Sequence, residues 1–150
     1  MGRTQLNMSP TSRIGVSFLV LLATLCVCGL PVFCQTNTTW KGGAGNWSDS
    51  TKWTNGAPNG NFNAFIDGGN PVASSVALNV SQSINNLTIN ADDGLGFNNG
   101  TALTVNGNSV SNAGKMTLNS VGSFTELIIG GSNVTLSGGG TLTMSNNAQN

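Results

Sequence analysis

The sequence predicts an all-β protein, a right-handed parallel β-helix with a Trp/Gly-rich N-terminal cap, preceded by a signal-peptide helix. Three observations predict it. A short phrase, apolar-Thr-apolar-Asn/Ser, occurs five times, at Leu87–Asn90, Leu103–Asn106, Met116–Asn119, Val134–Ser137 and Leu142–Ser145. Each copy is a period-2 strand three residues deep, closed by a turn former. The separators are short and rich in Asn and Gly, for example Asn106-Gly107-Asn108 and Gly138-Gly139-Gly140. Finally, no helical periodicity appears after residue 34, and abundant Gly disfavours helix. Very short strands with closely spaced turns suit a solenoid, in which no coil buries its apolar side until it is stacked on another. A sandwich calls for longer strands and charged edges.

Taken in order, residues 1–34 read as a secretory leader. Arg3 and Arg13 bracket a polar segment, and Ile14 to Leu30 is mostly apolar. Pro31 breaks the run, and Val32-Phe33-Cys34 gives a cleavage site before Gln35. An uncleaved anchor is the alternative, since such a run could just span a bilayer. Cys26, Cys28 and Cys34 all lie in this leader, so the remainder is built without disulfides. After cleavage three lysines face four aspartates and one glutamate, a net charge of −2. That balance offers no basic footprint for nucleic acid.

Residues 35–71 form the expected cap. Gln35 to Thr39 is a polar lead-in, and Trp40, Trp47 and Trp53 follow on a glycine-rich backbone. Three indoles this close can pack as a hydrophobic lid, or stand exposed and stack on sugar rings. Phe62 and Phe65-Ile66 supply the first expected strand. Residues 72–150 are the repeats. Val76, Leu78 and Val80 share one strand face, Leu95 and Phe97 start another strand, and Phe124, Leu127 and Ile129 mark a later one. The phrase starts are spaced irregularly, by 16, 13, 18 and 8 residues. Some copies must therefore be different sides of one coil. The expected interior is Leu87, Ile89, Leu103, Val105, Met116, Leu118, Leu127, Ile129, Val134, Leu136, Leu142 and Met144, with Thr facing out.

Trp40-x-Gly-Gly-x-Gly-Asn-Trp47, followed by Trp53, Gly56 and Pro58, resembles the opening of large secreted bacterial β-helix proteins with autotransporter-associated β-strand repeats. Ser132 to Ser145 resembles their repeat units. The resemblance runs from Trp40 to the end of the chain. It implies a secreted or surface-exposed, adhesin-like passenger at the outer membrane, with a surface polysaccharide or cell-surface ligand as partner and the membrane met only through the leader. Asn146 to Asn150 closes the sequence inside repeat-like text, so a longer parent protein is expected.

Chemistry-bearing residues are few. The absence of histidine removes Ser-His-Asp and Cys-His arrangements and His-based metal sites. Asp92-Asp93 is the one adjacent acidic pair. It offers the two carboxylates a β-helix polysaccharide hydrolase or lyase would need, but lies in ordinary turn sequence. Gly42-Gly43-Ala44-Gly45-Asn46 lacks the Lys-Ser/Thr of a phosphate loop and the Asp of a calcium repeat, and does not recur. Asp49 and Asp67 could contribute to one calcium site. The expectation is therefore no enzyme, no cofactor, no catalytic residue and no metal. A carbohydrate-binding module using Trp40, Trp47 and Trp53 is the alternative function.

Overall fold

The computed structural model describes residues 35–66, 69 and 71–150. The expected leader helix and its cysteines lie outside the described residues, as does Asp67. Among the described residues thirteen strands are formed: β1 (Thr36–Thr39), β2 (Gly43–Asn46), β3 (Phe62–Ile66), β4 (Ser74–Leu78), β5 (Gln82–Ile84), β6 (Asn86–Ile89), β7 (Gly94–Phe97), β8 (Ala102–Val105), β9 (Ser109–Asn112), β10 (Lys115–Leu118), β11 (Glu126–Ile129), β12 (Thr135–Ser137) and β13 (Thr141–Met144). They make three sheets, ordered β1-β3-β6-β9-β12, β2-β4-β7-β10-β13 and β5-β8-β11. All the ladders are parallel. The chain returns to the first sheet at β3, β6, β9 and β12, which makes four turns of a β-solenoid.

The five phrases fall on all three sides. Those at Leu87 and Val134 reach the first sheet, those at Met116 and Leu142 the second, and that at Leu103 the third. Stacking brings like residues into columns that run along the solenoid. In the second sheet Val76, Leu95, Met116 and Leu142 are in register, as are Leu78, Phe97, Leu118 and Met144. In the third, Ile84, Val105 and Ile129 align, beside Leu103 and Leu127. Alternation along each short strand turns these apolar residues inward. One core results, and it includes Leu87, Ile89, Leu103, Val105, Met116 and Leu118 as expected.

Four expectations need correction. Gln35 to Thr39 is no mere lead-in: Thr36–Thr39 is β1, paired with Phe62–Phe65. Its inward residue is polar, but Thr38 Oγ1 donates to Gly56 O (2.9 Å) and accepts from Asn55 N (3.2 Å), which satisfies the buried hydroxyl. Val80 lies beyond β4 and is partly exposed. Phe124 precedes β11 and is exposed. At the last rung of the described residues Leu136, Leu142 and Met144 are 60%, 45% and 58% exposed and Ile129 is 42% exposed, because their strands stand at the sheet edges and no other described coil covers their columns. Leu127 and Val134 are partly buried against the core.

The corners explain much of the glycine. Gly114 and Gly140 occupy successive levels of one corner, and Gly107 and Gly131 of another. A Cβ on Gly114 would fall on the Asp93 and Asn90 carbonyls, and one on Gly131 on the Gly107 carbonyl. Backbone is stacked directly on backbone there, so only hydrogen fits.

Candidate functional site

The sequence singles out the tryptophan stretch, and the structure places all three indoles together. Trp40 follows β1, and its N–H donates to Phe65 O (2.8 Å), continuing the ladder with β3. It therefore stands one rung before Ile66, in the column that continues through Ile89. Trp47 follows β2 and donates its N–H to Ala77 O (2.8 Å). Its ring thus opens the column of Leu78, Phe97, Leu118 and Met144. After Trp47, Ser50–Lys52 forms a single 3-10 turn whose end delivers Trp53 to an antiparallel bridge with Trp40.

Trp53 meets both neighbours edge-on. Its ring centroid is 5.1 Å from Trp40 at 79° and 5.0 Å from Trp47 at 63°. These are the T-shaped geometries that ring quadrupoles favour. Each indole N–H has a carbonyl partner: Trp40 Nε1 donates to Gly43 O (3.0 Å), Trp53 Nε1 to Trp47 O (2.9 Å) and Trp47 Nε1 to Pro58 O (3.2 Å). Gly45 has no side chain because the Trp40 ring fills the space, 3.1 Å from where its Cβ would sit. Lys52 Nζ lies 5.7 Å from the Trp40 ring centroid, within range of a weak cation–π contact.

Trp40, Trp47 and Trp53 are 1%, 0% and 1% exposed. Stacking on a sugar needs a bare indole face, and none of the three presents one. The lid reading of these residues describes the structure; the exposed platform does not. The reason is positional: Trp40 and Trp47 continue inward columns, so alternation turns them into the core.

The acidic residues are separated in the same way. Asp93 is 2% exposed, and its Oδ1 accepts from Ser74 N (2.6 Å), a bond between successive coils. Asp92 is exposed and adopts a positive φ of 68°. The two carboxylates do not share a cleft; one is an internal staple and the other decorates a turn. Asp49 caps the 3-10 turn, accepting from Thr51 N (3.0 Å) and Thr51 Oγ1 (2.6 Å). The hydroxyl bond, then the backbone bond, hold its carboxyl below the ordinary carboxylate value. Gly42 and Gly43 both have positive φ, 93° and 72°, so the chain bends there, while Gly43–Asn46 is strand β2, paired with β4, and not the turn that glycine-rich sequence suggests. Among the described residues no three His, Cys, Asp or Glu side chains come together as a metal site.

One feature had no local signal in the sequence. Asn37, Asn63 and Asn86 are in register on the first sheet. Asn63 Nδ2 donates to Asn37 Oδ1 (2.8 Å), and Asn86 Nδ2 donates to Asn63 Oδ1 (3.0 Å). Asn86 Oδ1 then accepts from Asn108 N and Ser109 N, both at 2.9 Å. This amide ladder clips four coils on the outer side, and only knowledge of the coil offsets could have found it. The chain matches no protein-family model, no curated protein and no solved structure.

Proposed function

We propose that the chain is an exported structural segment of a cell-surface or secreted protein, an adhesin-like β-solenoid that performs no catalysis. The observation that carries this reading is the columnar stack itself: apolar residues line the inside and Asn, Ser and Thr cover much of the outside. Asp49 and Asp93 are used in capping and stapling, and the three indoles are buried in the lid. Such a scaffold extends by adding coils and needs no disulfide, which suits export from a sequence whose cysteines all precede Gln35.

In this reading the first 34 residues direct export, as in the autotransporter-like proteins the sequence resembles. A surface polysaccharide or cell-surface ligand is met by the polar outer faces rather than by the indoles. The experiment is expression in a Gram-negative host with a C-terminal epitope, followed by fractionation and N-terminal sequencing. Export with a new terminus at Gln35 is expected. Retention of the intact chain in the cytoplasm would overturn the proposal. A glycan array with the exported product tests the partner: retention of surface polysaccharides is expected, and an array blank throughout would remove that ligand class.

A further inference from the structure

The sequence contains four Asn-Gly pairs: Asn55-Gly56, Asn59-Gly60, Asn99-Gly100 and Asn106-Gly107. An Asn-Gly pair can rearrange without an enzyme. The glycine backbone nitrogen attacks the asparagine Cγ, the new C–N bond closes a succinimide, and the Cγ–Nδ2 bond breaks. Ammonia leaves carrying the proton from the glycine N–H. Solvent water then opens the ring at either carbonyl, giving Asp or a β-linked isoaspartate. Glycine favours closure because no Cβ obstructs the approach. The reaction requires a glycine nitrogen free of other bonds, an amide free to turn, and backbone able to rotate.

The fold denies these conditions at three of the pairs. Gly107 N donates to Asn85 O (2.7 Å), inside the inter-coil ladder. Gly100 N donates to Thr125 Oγ1 (3.0 Å), while Asn99 Oδ1 accepts from Val121 N (2.8 Å) and Ser123 N (3.0 Å). Asn55 Nδ2 donates to Asn37 O (2.7 Å), and its N–H donates to Thr38 Oγ1 (3.2 Å). Asn59-Gly60 is different. Both residues are exposed, and neither the Asn59 amide nor the Gly60 N–H has a hydrogen-bond partner among the described residues. Nothing lies within 4 Å of where a Cβ on Gly60 would stand.

We propose that Asn59-Gly60 is the site of spontaneous deamidation and isoaspartate formation in the folded protein. The position matters to the cap. Asn59 O accepts from Phe62 N (2.7 Å) at the start of β3, and the neighbouring Pro58 O holds Trp47 Nε1. In the isoaspartate the chain runs through the former side chain. One methylene enters the backbone between these two anchors, and the former Asn59 carbonyl becomes a carboxylate. The modification adds one negative charge beside the tryptophan lid.

The test is peptide mapping by mass spectrometry after incubation of the purified chain at mildly alkaline pH, with Asp and isoaspartate peptides separated by chromatography. In the folded chain Asn59 should convert about tenfold faster than Asn55, Asn99 or Asn106, the factor expected when bonded sites must first open. In denaturing urea the four rates should converge. Gly60→Ala, for which there is room, should suppress conversion at Asn59 and leave the circular dichroism spectrum unchanged. Equal rates at the four sites in the folded chain, or a slower rate at Asn59, would overturn the proposal. So would unchanged conversion in Gly60→Ala.

Discussion

Trp47 shows how much one residue's role here depends on what lies next to it along the solenoid axis. Its ring starts an inward column, its N–H is bonded to Pro58 O, and its carbonyl receives Trp53 Nε1. Trp47→Ala should therefore open a cavity at the head of the core and leave Pro58 O without its indole donor, while the backbone carbonyl that accepts from Trp53 Nε1 is retained. The expected loss is about 3–5 kcal/mol in urea unfolding, the range for deleting a buried aromatic ring. Asp49 is a smaller case with a pH signature. Its pKa is lowered chiefly by the Thr51 hydroxyl, then by the Thr51 N–H. A lowered carboxylate pKa means the folded state binds its proton less readily than the unfolded one. The capping contribution is thus present above the unfolded carboxylate value and fades as pH falls through the lower folded one. In Thr51→Val the Asp49 titration followed by carboxyl NMR should move up towards the ordinary value, because the hydroxyl donor is gone while the N–H remains.

At the level of the element, the strands are too short to be stable by themselves and are fixed by the coil beneath. The corners set how closely coils approach. Gly114→Ala would drive a methyl into the Asp93 and Asn90 carbonyls, whereas Gly94→Ala, in the middle of a sheet, would meet nothing closer than Lys115 O at 3.7 Å. The two substitutions should diverge in urea midpoint. Gly114→Ala should lose about 1–3 kcal/mol by overpacking, while Gly94→Ala should be neutral or gain up to about 1 kcal/mol through reduced freedom of the unfolded chain. Similar losses for both would contradict the stacked-corner account. The first sheet adds a polar counterpart to these contacts, the Asn37–Asn63–Asn86 ladder, which ties successive coils together through side-chain amides.

For the whole molecule, stability should depend on where in a column a residue stands. Leu118 and Met144 are register partners in one column, yet Leu118 is 4% exposed and Met144 58%. Leu118→Ala should cost about 2–5 kcal/mol, and Met144→Ala within about 0.5 kcal/mol. Equilibrium unfolding of the two variants checks this. Equal losses would mean that the terminal rung is covered in solution. The exposed rung also carries the unpaired edges of β11, β12 and β13, so replacing Leu142 with Lys should reduce concentration-dependent association in sedimentation without shifting the unfolding midpoint much.

The phrase at Leu87, Leu103, Met116, Val134 and Leu142 was enough to predict an all-β solenoid, and its uneven spacing was enough to predict that the copies lie on different sides. Those conclusions rest on local period-2 alternation and turn chemistry, which a sequence displays directly. Nothing local distinguished Thr36–Thr39 as a strand, because its pairing partner is β3 and the partners of its buried Thr38 hydroxyl come from a distant loop. Nor could composition decide whether Trp40, Trp47 and Trp53 face water or core. That choice depends on register with β3 and β4, residues 26 and 31 positions later in the chain. The sequence determined that coils would form and which alternate positions of the repeated phrase are apolar. Only the tertiary structure decided which residues share a column, and hence that the tryptophans close the core instead of presenting a sugar-binding surface.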